Sequence, residues 1–299
     1  MTKDSGHEGA LARRLPTFLV IGAMKAGTTS LYHYLHAHPQ IATPEYKAPE
    51  FFVAESNWHR GIDWYRRQFP PTGPDVLAIG DASNAYAKYP RHQGVPARIA
   101  AHLPDVRLVY VVRDPVARIR SHYQTRAAEG SEKEPFAAAV FSNSIYLDYS
   151  RYALQIEQYL EHFPREQLLV ITSEDLRAAR EPTMRRVYEF VGVDPLRAPA
   201  ELDRDFYRTQ DRAARSPVPL GLRKFLKRRF PWTRRFKELE NNTVGALRRI
   251  TRREGEQTAP PAAFHIPDDV RTRIGTELAD DVHRLRAYMD ADFSGWGIA

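Results

Sequence analysis

No cysteine occurs anywhere in the 299 residues, which excludes a disulfide framework, a thiolate nucleophile and any cysteine-ligated zinc or iron–sulfur centre. Long apolar runs are missing as well. The run from Phe18 to Met24 is cut by Lys25, and no later stretch reaches 18 uncharged residues, so neither a secretion-signal core nor a membrane-spanning helix is expected. Negative charge is in the minority: 37 Asp and Glu against 44 Lys and Arg leave +7, a balance that favours an anionic ligand. With 42% apolar and only 27% charged residues, the composition is that of a folded chain. Together these features lead us to expect a soluble protein of a reducing, cytoplasmic compartment. The length suits one large α/β domain or two small ones.

Residues 1–15 are polar and read as a flexible leader, and 16–299 as a single α/β domain with a basic C-terminal appendage from about residue 200. Four apolar runs have strand character: 18–21, 76–79, 106–112 and 168–171. Helical spacing follows at 28–38, 115–129, 146–163, 182–191 and 268–290, with His38-Pro39 and Gly192 as stop signals. Buried runs that alternate with helices predict a P-loop-like central parallel sheet flanked by helices on both faces.

The segment Gly22-Ala-Met-Lys25-Ala-Gly27-Thr28-Thr29-Ser30 stands between the first strand and the first helix. A turn there exposes successive backbone N–H groups, and the helix adds its positive end; both attract a phosphate. Lys25 supplies a point charge, and Thr28, Thr29 and Ser30 supply hydroxyls. A nucleotide triphosphatase loop would place lysine directly after the second glycine, where Thr28 stands here. The lysine has moved to mid-loop, which argues against ordinary ATP or GTP hydrolysis. A second segment, Val111-Val-Arg113-Asp-Pro-Val-Ala-Arg-Ile-Arg-Ser121-His122-Tyr, places Arg113 at the end of a strand, where open α/β sheets bind ligands. Ser121 follows two helical turns later. A plain Arg113–Asp114 ion pair is the structural alternative.

Taken together, these motifs resemble the PAPS-dependent sulfotransferases (PAPS is 3′-phosphoadenosine 5′-phosphosulfate), and most of all their carbohydrate, heparan-type branch and its bacterial relatives. Residues 25–30 match that family's 5′-phosphosulfate loop, and Arg113 with Ser121 its 3′-phosphate site. Weaker echoes run through 59–65, 80–86, 163–176 and the terminal Asp292-Phe-Ser-Gly-Trp296. The resemblance implies PAPS as sulfate donor and PAP as product, with Lys25, Ala26, Gly27, Thr28, Thr29, Ser30, Arg113 and Ser121 as donor contacts. It implies no metal requirement. The acceptor would be a hydroxyl or amine of a carbohydrate, lipid or other small molecule. Arg252 and Arg253 are further candidates to close over the 3′-phosphate, on position alone. The sequence leaves two rivals: a PAP-binding protein of the same fold without efficient catalysis, and a P-loop kinase-like phosphotransferase.

In the carbohydrate enzymes that the chain resembles, the general base is a glutamate three residues before a Phe-Phe pair. Here the segment reads Lys47-Ala48-Pro49-Glu50-Phe51-Phe52, with Ala48 in the glutamate's place. Glu50 and then Asp81 are the preferred substitutes; Glu45 and His122 are weaker candidates. Trp58, Trp64 and Tyr65, with the regions 123–150 and 205–237, are expected to wall the acceptor side. Residues 223–237 carry eight Lys or Arg with interleaved aromatics. They read first as a solvated amphipathic face, next as a lid for an anionic acceptor, and third as a contact with an acidic membrane surface. No nucleic-acid motif accompanies the charge, so no nucleic-acid partner is expected. The sequence is silent on oligomeric state.

Overall fold

The computed structural model describes residues 13–198 and 265–298. The chain divides into two compact units, 1–207 with 269–299, and 208–268. The sheet and the candidate site belong to the first. Residues 1–12, the basic stretch 223–237, and Arg252 and Arg253 lie outside the described residues. Of the expected leader, Arg13 is tied to the carbonyls of Arg67 and Phe69, and Arg14 to that of Val76.

Five parallel strands form the sheet: β1 (Phe18–Gly22), β2 (Ile41–Ala42), β3 (Ala78–Ala82), β4 (Arg107–Val112) and β5 (Leu168–Thr172), in the order β2-β3-β1-β4-β5. The helices between them are α1 (Thr28–His36), α2 (Ile62–Arg66), α3 (Val95–His102), α4 (Pro115–Ala128), α5 (Phe136–Ser142), α6 (Ile145–Asp148) and α7 (Tyr152–Leu160). After β5 come α8 (Asp175–Ala178), α9 (Arg180–Val191) and α10 (Asp268–Leu285). Every residue of β1, β3 and β5 is buried. Successive strand residues face opposite sides, so both faces of the sheet are covered, as the near-continuous apolar runs predict.

The strand order places a topological switch at β1. The chain leaves β1 for β2 and β3 on one side, and β4 and β5 fill the other. Open α/β sheets bind ligands in the crevice beyond the carboxyl ends of the strands at such a point. The loop after β1 and the segment after β4 both open there, because the two strands are parallel neighbours with Gly22 opposite Tyr110. The switch point therefore unites two motifs that lie some ninety residues apart in the sequence.

Local signals account for the helix ends. Asp114 accepts a hydrogen bond from the Ala117 N–H at 2.8 Å and caps α4, with Pro115 in its first turn. Gly192 ends α9 in the left-handed region, φ 84°.

Beyond the short helices α2, α3, α5 and α8, which the sequence expectation did not include, three elements differ from it. β2 spans only two residues and leaves no periodic trace. β3 begins two residues late and continues through Gly80 and Asp81, which resemble a turn in sequence. The expected helix 146–163 is broken into α6 and α7. The break is held open by Arg118, which is fully buried and donates to the Tyr146 carbonyl and the Ser150 hydroxyl, each at 2.6 Å.

Candidate active site

The loop after β1 turns through two positive backbone angles, Lys25 at φ 72° and Gly27 at φ 100°. Gly27 precedes α1 and contributes no side-chain cap, so the first amides of that nine-residue helix have no capping side chain. A Cβ at Gly27 would make only ordinary contacts, with the Ser173 hydroxyl at 3.4 Å and Leu176 Cδ2 at 4.0 Å; it is the backbone conformation that calls for glycine there. Thr28 is buried, while Lys25, Thr29 and Ser30 are half-buried at the rim. The result is an anion cradle built from backbone donors, hydroxyls and one ammonium.

Arg113 closes the cradle from β4. Its Nη1 donates to the Lys25 carbonyl at 3.1 Å, and its Nε is buried without a partner among the described residues. Burial, with Arg177 adding its charge, pulls the Arg113 pKa below the usual guanidinium range. A half-buried, incompletely satisfied guanidinium with Arg177 and Arg120 nearby, and Glu174 as an acidic neighbour that acts on it, is a candidate site for an anion. Asp114 caps α4 instead of pairing with Arg113, so the ion-pair alternative does not hold. Ser121 is buried on α4.

Sequence reasoning missed Lys47. Its ammonium donates to the Thr29 hydroxyl at 2.8 Å and lies 5.6 Å from the centre of the Tyr32 ring. A second cation thus reaches the cradle from the Lys-Ala-Pro-Glu-Phe-Phe segment. That segment drew attention only for its carboxylates, and the lysine beside them was the available signal.

The same segment carries positive φ at Ala48 (62°) and Glu50 (50°). Ser83 fastens it: the Glu50 N–H donates to Ser83 Oγ at 3.0 Å, and Ser83 Oγ donates to Asp81 Oδ1 at 2.8 Å. The Glu50 side chain is half-buried and receives a long, 3.5 Å contact from Ser56 Oγ. Asp81 is only 1% exposed, and its Oδ2 accepts from Tyr65 at 2.9 Å and from Tyr86 at 2.8 Å. Burial raises its pKa to about 6 against the opposing pull of these hydroxyls. Asp81 is therefore the centre of a buried polar knot that supports the Glu50 loop, and it presents no open face to an acceptor.

His122 stacks on Tyr149 and tilts against Tyr146, with Nδ1 buried and unpartnered among the described residues. Burial and the charges of Arg118, Arg126, Lys88 and Lys25 push its pKa down to about 2, so it is a poor proton acceptor. Lys88 lies with its ammonium 5.7 Å from the Tyr149 ring centre. Tyr65 was expected on the acceptor wall, but it is fully buried between Phe51 and Phe69 because its hydroxyl has a partner in Asp81. Trp58 and Trp64 pack partly buried against Phe51.

A family model described as "Sulfotransferase domain" matches residues 15–209. Heparan sulfate glucosamine 3-O-sulfotransferase 3B1 of Mus musculus is 31% identical over 216 residues, 69% of this chain and 53% of that protein. The bifunctional heparan sulfate N-deacetylase/N-sulfotransferase 2 of Homo sapiens is 29% identical over 214 residues, 64% of this chain and 24% of that protein. The chain thus spans between a quarter and about half of the length of these curated relatives. Among solved structures, a sulfotransferase from Alicyclobacillus acidocaldarius shares the fold, with a TM-score of 0.65 at 24% identity over 95% of this chain and 99% of that one.

Proposed function

The chain belongs to the sulfotransferase domain family, and on that premise we propose that it transfers the sulfuryl group of PAPS to a hydroxyl or amine of a small-molecule or carbohydrate acceptor. One observation carries the reading: the cradle at the switch point has its lysine at mid-loop, with the loop carbonyl of that lysine held by Arg113. That geometry suits a phosphosulfate and leaves the lysine slot of a triphosphatase loop filled by Thr28. The heparan sulfate relatives favour a carbohydrate among the acceptor classes.

When bound, PAPS would supply an activated sulfuryl group on a phosphate leaving oxygen. Lys25 and the amides of residues 27–30 would stabilise the charge on that oxygen, whereas the Ala26 N–H is already given to the Ala23 carbonyl at 3.1 Å. Thr28, Thr29 and Ser30 would hold the 5′-phosphosulfate, and Arg113 with Ser121 the 3′-phosphate. The orphan Nε of Arg113 is the group this assignment would satisfy. Glu50 is the proposed base, since its carboxylate is half-buried while Asp81 is enclosed and His122 is too weakly basic to take a proton. Arg252 and Arg253, outside the described residues, stay as proposed donor contacts.

A second reading rests on Ala48, the residue at the position where the resembling enzymes carry a glutamate: a PAP-binding protein with little transfer. Turnover of PAPS by the full chain against a panel of glycans, lipids and phenols, with mass detection of sulfated products, separates the two. Transfer that falls about 10²-fold or more in Glu50→Gln, with PAP affinity retained, is the expected result. PAP binding without any product would favour the second reading, and magnesium–ATP uptake without PAP binding would overturn both.

A further inference from the structure

Helix α10 lies more than 150 residues beyond Arg113 in the sequence, yet it is bonded to the element that holds that arginine. Asp281, 3% exposed, directs both carboxylate oxygens at the first turn of α7: Oδ1 accepts from the Ala153 N–H at 3.0 Å and Oδ2 from the Leu154 N–H at 2.9 Å. Such caps normally come from the residue just before the helix, but Arg151 provides no side-chain cap here. Arg284, one turn further along α10, holds Asp281 Oδ2 at 3.5 Å and also pairs with Glu157 of α7. The two helices are therefore locked at both the start and the middle of α7.

Tyr152 is the first residue of α7 and is fully buried. Its hydroxyl donates to the Arg113 carbonyl at 2.7 Å, and Arg113 in turn holds the Lys25 carbonyl at 3.1 Å. From the terminal segment, the Trp296 ring meets Tyr152 edge-on at 6.0 Å. A continuous series of bonds thus runs from Asp281 through the start of α7, Tyr152 and Arg113 to Lys25 in its left-handed conformation.

We propose that Asp281 is a positioning residue for the donor site: by capping α7 it sets Tyr152, which sets Arg113 and through it the phosphate loop. The proposal rests on the donor assignment made above and extends it to a helix whose side chains, among the described residues, make no hydrogen bond to the loop or to Arg113. Helix capping of this kind fixes the entry angle of a helix, so its loss is felt at the first residue, where Tyr152 stands.

The test uses the full chain and the variants Asp281→Asn and Tyr152→Phe, singly and together, with PAP affinity read by calorimetry and KM for PAPS read against kcat. Asparagine keeps one acceptor and loses the other; phenylalanine removes only the hydroxyl and preserves the packing. Each single variant is expected to weaken PAP binding by about tenfold and to raise KM for PAPS while the KM for acceptor is unchanged. The double variant is expected to lose much less than the product of the two, because both act on one series of bonds. Unchanged PAP affinity in a folded Tyr152→Phe protein would overturn the proposal, and so would fully multiplicative losses. Failure of the wild-type chain to bind PAP would instead refute the donor assignment itself.

Discussion

Replacing Asp81 by Asn removes an ionisable group from a fully enclosed polar knot and tests whether burial or hydrogen bonding dominates there. Three hydroxyls, from Tyr65, Tyr86 and Ser83, point at the carboxylate at 2.8–2.9 Å and favour its charged form. Burial works in the opposite sense and prevails, and the nearby charge of Glu50 adds to it, so the pKa rises from 3.8 to about 6. The folded chain then keeps its proton at pH values where the unfolded chain has released it. The stability contribution is fully present below about pH 4 and is lost as pH rises through about 6. At 1.36 kcal/mol per pKa unit, that loss is about 3 kcal/mol. Asparagine cannot ionise, so the stability difference between wild type and Asp81→Asn isolates the effect, and any constant cost of the amide drops out. Urea denaturation of both proteins across pH 3.5–8 is the assay. With a urea slope of roughly 1–3 kcal/mol per molar, the gap between midpoints should move by about 1–3 M in favour of the variant. A gap that is flat would show that the carboxylate has its ordinary pKa. A gap that moves towards wild type with rising pH would show that the three hydroxyls outweigh burial, and either result refutes the reasoning.

Lys25→Ala should lower sulfuryl transfer by about 10²–10³-fold with little change in thermal midpoint, since the side chain lost beyond Cβ, ammonium included, belongs to a residue that is only half-buried; turnover within tenfold of wild type would remove Lys25 from the transfer step. Gly80→Ala should destabilise the sheet by about 1–3 kcal/mol, because its Cβ would sit 2.0–2.6 Å from three carbons of the Phe18 ring directly opposite on β1. Adding Phe18→Leu should recover part of that loss in chemical denaturation, and an absence of any rescue would mean that the clash is not with the ring.

Much of the geometry around the proposed donor site was legible in the linear chain, because its determinants are local. A strand, a glycine-bearing turn and a helix start are adjacent in sequence, and Lys25, Gly27 and Thr28 carry their meaning in their spacing. The apolar runs of β1, β4 and β5 likewise declare themselves, since a strand covered on both faces must be apolar throughout. The segments proposed for the acceptor side were less legible. Asp81 read as a candidate base, and it is the hydroxyls of Tyr65, Ser83 and Tyr86 that make its burial tolerable. Gly80 looked like a strand end, and it is the Phe18 ring across the sheet that requires glycine there. The break between α6 and α7 was hidden for the same reason: Arg118 and Asp281 take up backbone groups that a continuous helix would have satisfied itself. Local spacing by itself determined the strand–turn–helix unit around Lys25 and the sheet class. Which carboxylate is enclosed, where a helix is interrupted, and what holds Arg113 in place were decided only by the tertiary structure, because each depends on a buried polar group finding a partner far away in the chain.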